Sequence, residues 1–367
     1  MLLVRLGNVN AQQPAATPPT PGRLPSSVRF HIVTGKGGTG KTTVAAALAL
    51  ALAGEGRRTL LVEVEGRHGI AQLFETPALP YEERKIAVGP GGGEVHALAI
   101  DPELALLDYL EMFYKLGRAG RALKKIGAVD FATTIAPGLR DVLLTGKACE
   151  AVRRRVPAEG RSRTPAKQGE RLYDAVVMDA PPTGRITRFL NVNDEVAGLA
   201  RFGPIHHQAQ AVMRVLKSPE TAVHLVTLLE EMPVQETVDG VADLRAAGLP
   251  VGAVVVNMLR PVLLDDAAVR AAADGRRTAV AKALSQAGLG GARRGGLAER
   301  LVDPLLEQAR EHVERVELER RERAEIEGLG LPTLELGLLG DGVDVGGLYR
   351  MAHAVRDQLA ALRGGTA

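Results

Sequence analysis

Gly35-Lys36-Gly37-Gly38-Thr39-Gly40-Lys41-Thr42-Thr43 decides the reading of this chain. The apolar run Val28 to Val33 precedes it, and an Ala/Leu run from Val44 to Ala53 follows. Strand, glycine loop and helix in that order satisfy G-x-x-x-x-G-K-[ST], the phosphate-binding loop. Glycines let a loop wrap a phosphate chain closely, with backbone angles that a Cβ would forbid. Successive main-chain N–H groups and the helix N-terminus then face the anion, whose charge the aligned dipoles favour. Lys41 is expected to reach the β- and γ-phosphates, and the Thr42 hydroxyl to ligate Mg²⁺.

Outward from the loop, strands and helices alternate, the pattern of a parallel sheet with helices on both faces. Thr59–Val64, Asp174–Asp179, Ala222–Thr227, Val251–Val256 and Leu331–Leu336 are expected strands, and a helix is expected from about Val234 to Gly248. Parallel strands need crossover connections, so ligands collect at their carboxyl ends. The chemistry-bearing residues stand at such ends. Asp179 opens Asp179-Ala180-Pro181-Pro182-Thr183-Gly184, where an acid can hold Mg²⁺ through its water shell and Gly184 can present its amide to a γ-phosphate. Glu63 and Glu65 follow another strand, and one of these carboxylates could orient or deprotonate an attacking water. Asn257 follows a third, and its side-chain amide offers the donor and acceptor that pair with an adenine edge.

Composition sets outer limits. With 367 residues the chain can bury a sizeable core, as one large α/β domain or two small ones. A net charge of +3 is too small to argue for nucleic acid, and arginines mostly alternate with acids rather than cluster. The stretch Arg310 to Glu327 mixes both signs within single helical turns, as a solvated helix does. One cysteine, Cys149, excludes an internal disulfide and a CxxC metal clamp within the chain, and it fits a cytoplasmic address. No apolar stretch approaches the ~20 residues that span a bilayer, and the N-terminus lacks a secretion signal.

Met1 to Ser27, with prolines at 14, 18, 19, 21 and 25, reads as a disordered tail, and Pro157 to Arg171 as a polar loop. Four of the eleven aromatic residues, Tyr109, Phe113, Tyr114 and Phe131, fall between Asp101 and Phe131. With Leu106, Leu107, Leu110, Met112 and Leu116 they predict an apolar helix inserted between core strands. Such a surface either packs within its own subdomain or adapts to a hydrophobic partner. Leu348, Met351, Val355, Leu359 and Leu362 share one face of a C-terminal helix, which favours packing inside the chain over docking on a membrane.

Lys36, directly after the first glycine, makes the loop resemble the deviant phosphate loop of the MinD/ParA/ArsA branch of P-loop ATPases. With Glu65-Gly66-Arg67-His68, Asp179–Gly184, Glu230 to Glu236 and Asn257, the chain resembles an ArsA-type ATPase across roughly Val28 to Arg363. That family includes the arsenite pump's ATPase subunit and the targeting factor for tail-anchored membrane proteins. A cysteine-poor, actinobacterial-type member fits the Ala/Arg/Gly-rich composition and Ala136-Pro137-Gly138-Leu139-Arg140.

The resemblance implies a doubly wound, mostly parallel α/β sheet over residues 28–363, with helical subdomain segments inserted at about 101–156 and 186–219. It implies ATP and Mg²⁺ as ligands, and a homodimer or a heterodimer with a paralogous ATPase subunit. Lys36 would cross the dimer interface to the partner's phosphates, Glu65 would stand at the position of the water-activating aspartate, and Leu336 to Leu339 would wall the adenine. An ATP-gated carrier for a hydrophobic or membrane-destined client leads, ahead of a MinD/ParA-like positioning scaffold or the ATPase subunit of an anion exporter. The pattern also departs from the family. Glu65 adds a methylene, displacing the carboxylate by roughly 1 Å, and misplacement of that order costs about 10²-fold in rate. Slow hydrolysis is therefore expected. Arg185 stands where histidine is frequent, Gly337 where proline is usual, and one cysteine provides neither a metalloid site nor a zinc clamp.

Overall fold

The computed structural model describes residues 25, 27–54, 56–66, 68–114, 138–156, 170–199, 204–264, 274, 277–288, 297–340 and 342–364. Eight strands form one sheet: β1 (Phe30–Gly35), β2 (Arg58–Glu63), β3 (Arg84–Val88), β4 (Glu94–Ala99), β5 (Ala175–Asp179), β6 (Thr221–Thr227), β7 (Val251–Leu259) and β8 (Thr333–Gly337). Their order is β3-β4-β2-β5-β1-β6-β7-β8. All neighbours run parallel except β3 and β4, an antiparallel pair at one edge. This hairpin is absent from the expected strands because β3 consists of exposed and half-buried residues rather than a buried apolar run.

The central strands are buried on both faces, and successive side chains enter different cores. Val33 joins one cluster with α1 (Lys41–Leu52), Leu61, Val177 and the C-terminal helix Val345–Gly364. Ile32 joins the other with Leu60, Val176, Met178, Val223 and Leu225. That second face carries α3 (Pro102–Tyr114), α4 (Leu139–Arg153), α5 (Thr183–Leu199), α6 (Pro204–Leu216) and α7 (Glu231–Ala246). Helix α2 (Gly69–Leu73) follows β2, while α8 (Arg277–Gln286) and α9 (Leu297–Gly328) lie between β7 and β8, with Val345–Gly364 as α10.

Most expected strands shift by one to three residues. Helix α7 begins three residues earlier than expected, at Glu231, because Pro233 is tolerated in a first turn where N–H groups have no helical partner anyway. Of the tail, Met1–Leu24 lies outside the described residues; Ser27 donates to the Pro219 carbonyl at 3.3 Å. Residues 157–169 of the polar loop and 115–137 of the inserted segment, Phe131 among them, also lie outside. The loop's two ends are joined by an antiparallel bridge between Arg155 and Arg171.

Helix α10 uses the face read from its spacing. Leu348, Met351, Val355 and Leu359 are buried against the α1 side of the sheet. Among the described residues no helix is long and apolar enough to cross a membrane. Leu348 is fully buried, so Leu348→Ala should destabilise the fold by about 2–5 kcal/mol, read from the urea midpoint.

Candidate functional site

The glycine loop rises from the carboxyl end of β1, between β5 and β6, at the point where the sheet's connections diverge to either side. Two glycines there are enforced by contact. Gly35 has φ +156°, and a Cβ on it would stand 2.2 Å from the Val226 carbonyl oxygen. Gly40 has φ +86°, and its Cβ would stand 2.5 Å from Asn257 Nδ2. Gly37 and Gly38 lie exposed on the loop's crest. The Thr39 hydroxyl donates to the Lys36 carbonyl at 2.9 Å, bracing the loop from within. Gly40 precedes α1 without any side-chain cap, leaving first-turn N–H groups near Lys41, Thr42 and Thr43 to an incoming anion.

Three strand ends converge on this loop. The Thr34 hydroxyl donates to the Pro181 carbonyl at 2.6 Å, tying β1 to the turn after β5. The Thr42 hydroxyl donates to Asp179 Oδ2 at 2.7 Å, while Asp179 Oδ1 is buried with no hydrogen-bond partner. Burial raises the Asp179 carboxyl to about 6; the Thr42 hydrogen bond and Lys41 oppose the rise, and Glu63 and Glu65 add to it. A hydroxyl and an orphaned buried carboxylate oxygen, both beside a phosphate loop, match the hard oxygen donors of Mg²⁺. The residues therefore fit the ion. Gly184 lies in the first turn of α5, just beyond this acid.

Glu63 ends β2 opposite Asp179, buried to 2 % exposure. Its Oε1 accepts the Gly69 N–H at 3.1 Å, and its Oε2 has no hydrogen-bond partner. Glu65 is partly exposed and faces Arg185 Nη1 at 3.9 Å. His68 precedes α2 in the left-handed region, with φ +54°, and makes no side-chain capping hydrogen bond. Lys36 turns outward, where its ammonium meets Glu236 of α7 at 3.8 Å. Asn257 is buried, and its Nδ2 donates to the Thr39 carbonyl at 2.9 Å. The same residue lines a cavity of about 300 Å³ with Leu229, Glu230, Met258, Arg260 and Leu338. Leu338 belongs to the segment expected to wall an adenine. Sequence reasoning missed Thr34, the burial of Glu63, and Glu236 and Arg185 as ion-pair partners. Glu63 was visible as an acid in an otherwise apolar strand; the ion pairs had no local signal.

Residues 28–218 match the family described as anion-transporting ATPase. The chain belongs to the ArsA-type anion-transporting ATPase family. Over 340 residues, 92 % of this chain and 95 % of the relative, it is 50 % identical to ATPase BagA of Mycobacterium tuberculosis. It is 28 % identical to ATPase get3 of Schizosaccharomyces pombe, over 54 % of this chain and 57 % of that protein. It is also 26 % identical to ATPase GET3 of Kluyveromyces lactis, over 64 % and 73 %. As an ArsA-type ATPase the chain is an ATP hydrolase on a P-loop fold.

A carboxyl whose folded value, about 6, lies above the ordinary 3.8 stabilises the fold below about pH 4 and loses that contribution as pH rises through 6. Asp179→Asn removes the penalty. At pH 8 without nucleotide this ArsA-type ATPase should gain up to about 3 kcal/mol from the substitution, by urea unfolding. The gain should vanish near pH 4, and Mg²⁺-dependent nucleotide binding should be lost.

Proposed function

We propose that the chain is a Mg²⁺-ATP-dependent ATPase that acts as a dimer and gates a helical subdomain, segments 101–156 and 186–219, carrying a hydrophobic or membrane-destined client. The observation that carries the nucleotide reading is the uncapped loop beside the Thr42–Asp179 pair, with its unpartnered oxygen. Main-chain N–H groups of Gly35 to Thr43 bind the phosphates, and Lys41 neutralises the β- and γ-oxygens. Asn257 and Leu338 border the cavity for the base. Thr42 and Asp179 would hold Mg²⁺, which when bound neutralises charge on the phosphate oxygens. Glu65 orients water for attack on the γ-phosphate, and its tie to Arg185, together with its longer arm, supports slow turnover. Loss of the γ-phosphate is sensed at Gly184, in the turn that leads into α5 of the helical face.

Dimerisation is supported by Lys36. Its ammonium pairs with Glu236 of α7 at 3.8 Å, and both side chains are partly exposed at the protein surface. An ammonium so placed becomes useful when a second subunit, identical or paralogous, presents its phosphates. The client reading is supported by a cavity of about 360 Å³ among α3, α4 and α6, floored by Ala105, Leu143 and Gly146 and rimmed by charges including Lys147 and Glu150. A membrane-positioning scaffold is less well supported, since the apolar face of α10 is already occupied within the chain. Thiolate-based metalloid export has little support either: Cys149 is fully buried, and burial pushes its thiol up to about 12.

ATP turnover per subunit should rise with protein concentration in the unmodified chain. Lys36→Ala should keep Mg²⁺-ATP binding within about threefold by calorimetry, yet lose at least tenfold in turnover and all concentration dependence. Turnover independent of concentration and indifferent to the substitution would contradict the dimeric reading.

A further inference from the structure

Glu63 has two oxygens with separate fates. Oε1 accepts the N–H of Gly69, the first residue of α2, at 3.1 Å, which returns the chain to the site after Glu63–Glu65. Gly69 sits close on Thr42: a Cβ there would stand 3.1 Å from Thr42 Cγ2. The helix start fixed by Glu63 therefore rests on the residue that would hold the metal. Oε2 is buried and has no hydrogen-bond partner, as is true of Oδ1 on Asp179, its cross-strand neighbour. Burial of one unpaired carboxylate oxygen is costly, and two on adjacent strand ends repel each other as well. Lys41 is the nearby ammonium, but its Nζ points to the Lys36 carbonyl at 3.5 Å, and one unit charge cannot neutralise two carboxylates.

The observations thus ask for a divalent cation between β2 and β5. We infer that Glu63 is a second acidic holder of the Mg²⁺ shell, acting beside Asp179 and Thr42. Glu65, partly exposed and facing Arg185, is left to the water side. This divides two glutamates, one ending β2 and one just beyond it, into a metal-holding and a water-orienting residue. It rests on the Mg²⁺-ATP reading above.

Glu63→Gln is the discriminating substitution, because a glutamine can still accept the Gly69 N–H while losing the charge. Binding of a fluorescent ATP analogue is titrated with Mg²⁺ for the unmodified protein, Glu63→Gln and Glu65→Gln. The Mg²⁺ concentration for half-maximal binding should rise about 10- to 100-fold in Glu63→Gln, the usual range for losing a metal-supporting group. It should stay within about twofold in Glu65→Gln, and Glu63→Gln in EDTA should melt no lower than the unmodified protein. An unchanged Mg²⁺ requirement in folded Glu63→Gln overturns the inference and leaves Glu63 as a cap for α2. If the unmodified protein itself binds the analogue without regard to Mg²⁺, the ATPase reading fails instead. Should Glu63→Gln not fold, Glu63→Asp, with the charge on a shorter arm, must show the raised requirement for the inference to stand.

Discussion

A buried carboxylate at the carboxyl end of a central strand constrains this site more than any other group. Asp179 stands on β5 between β1 and β2, and its one hydrogen bond, from Thr42, joins the sheet to the first turn of α1. The loop between those anchors has little freedom, because Gly35 presses on the Val226 carbonyl and Gly40 on the Asn257 amide. Strand β5 on one side of β1, and β6 and β7 on the other, thereby hold one nine-residue loop from different sides. The fold accepts an unfavourable charge in exchange for a site already shaped for a cation and a chain of phosphates.

That arrangement also links the candidate site to the helical face by direct contacts. The turn that follows Asp179 is held to β1 by the Thr34 hydroxyl and runs directly into α5. Helix α5 packs with α4 and α6, the helices that border the cavity of about 360 Å³. Helix α7 presents Glu236 to Lys36 on the same side. A displacement at the Asp179–Gly184 turn has a short, packed route to the subdomain, the physical requirement for coupling through a two-state element.

The sequence was legible wherever a single residue type had a single physical reason. Apolar runs such as Val251–Val256, bounded by turn residues, read as buried parallel strands, and the glycine-lysine spacing between a strand and a helix reads as a phosphate cradle. The β3–β4 edge was not legible, since an edge strand needs no apolar run and Arg84–Val88 has none. Asn257 was expected just after a strand ending at Val256, whereas β7 runs on to Leu259, and its hydrogen bond to the Thr39 carbonyl depends on a fold bringing together residues 218 positions apart. The same limit hides the buried pair of His31 and His224, whose ring nitrogens meet at 3.0 Å between β1 and β6. Glu63 shows a subtler limit. Its residue type was visible, but its burial beside Asp179 follows from register, which no local window contains.

A crystal structure grown with Mn²⁺ and a non-hydrolysable ATP analogue tests the central claim most directly, with anomalous scattering to locate the ion. The account predicts a metal peak between the ends of β2 and β5, with the Thr42 hydroxyl turned from Asp179 to the ion and phosphates lying along Gly35–Thr43. A nucleotide bound in that loop with the Thr42–Asp179 hydrogen bond intact, and with no metal peak beside it, would contradict the account.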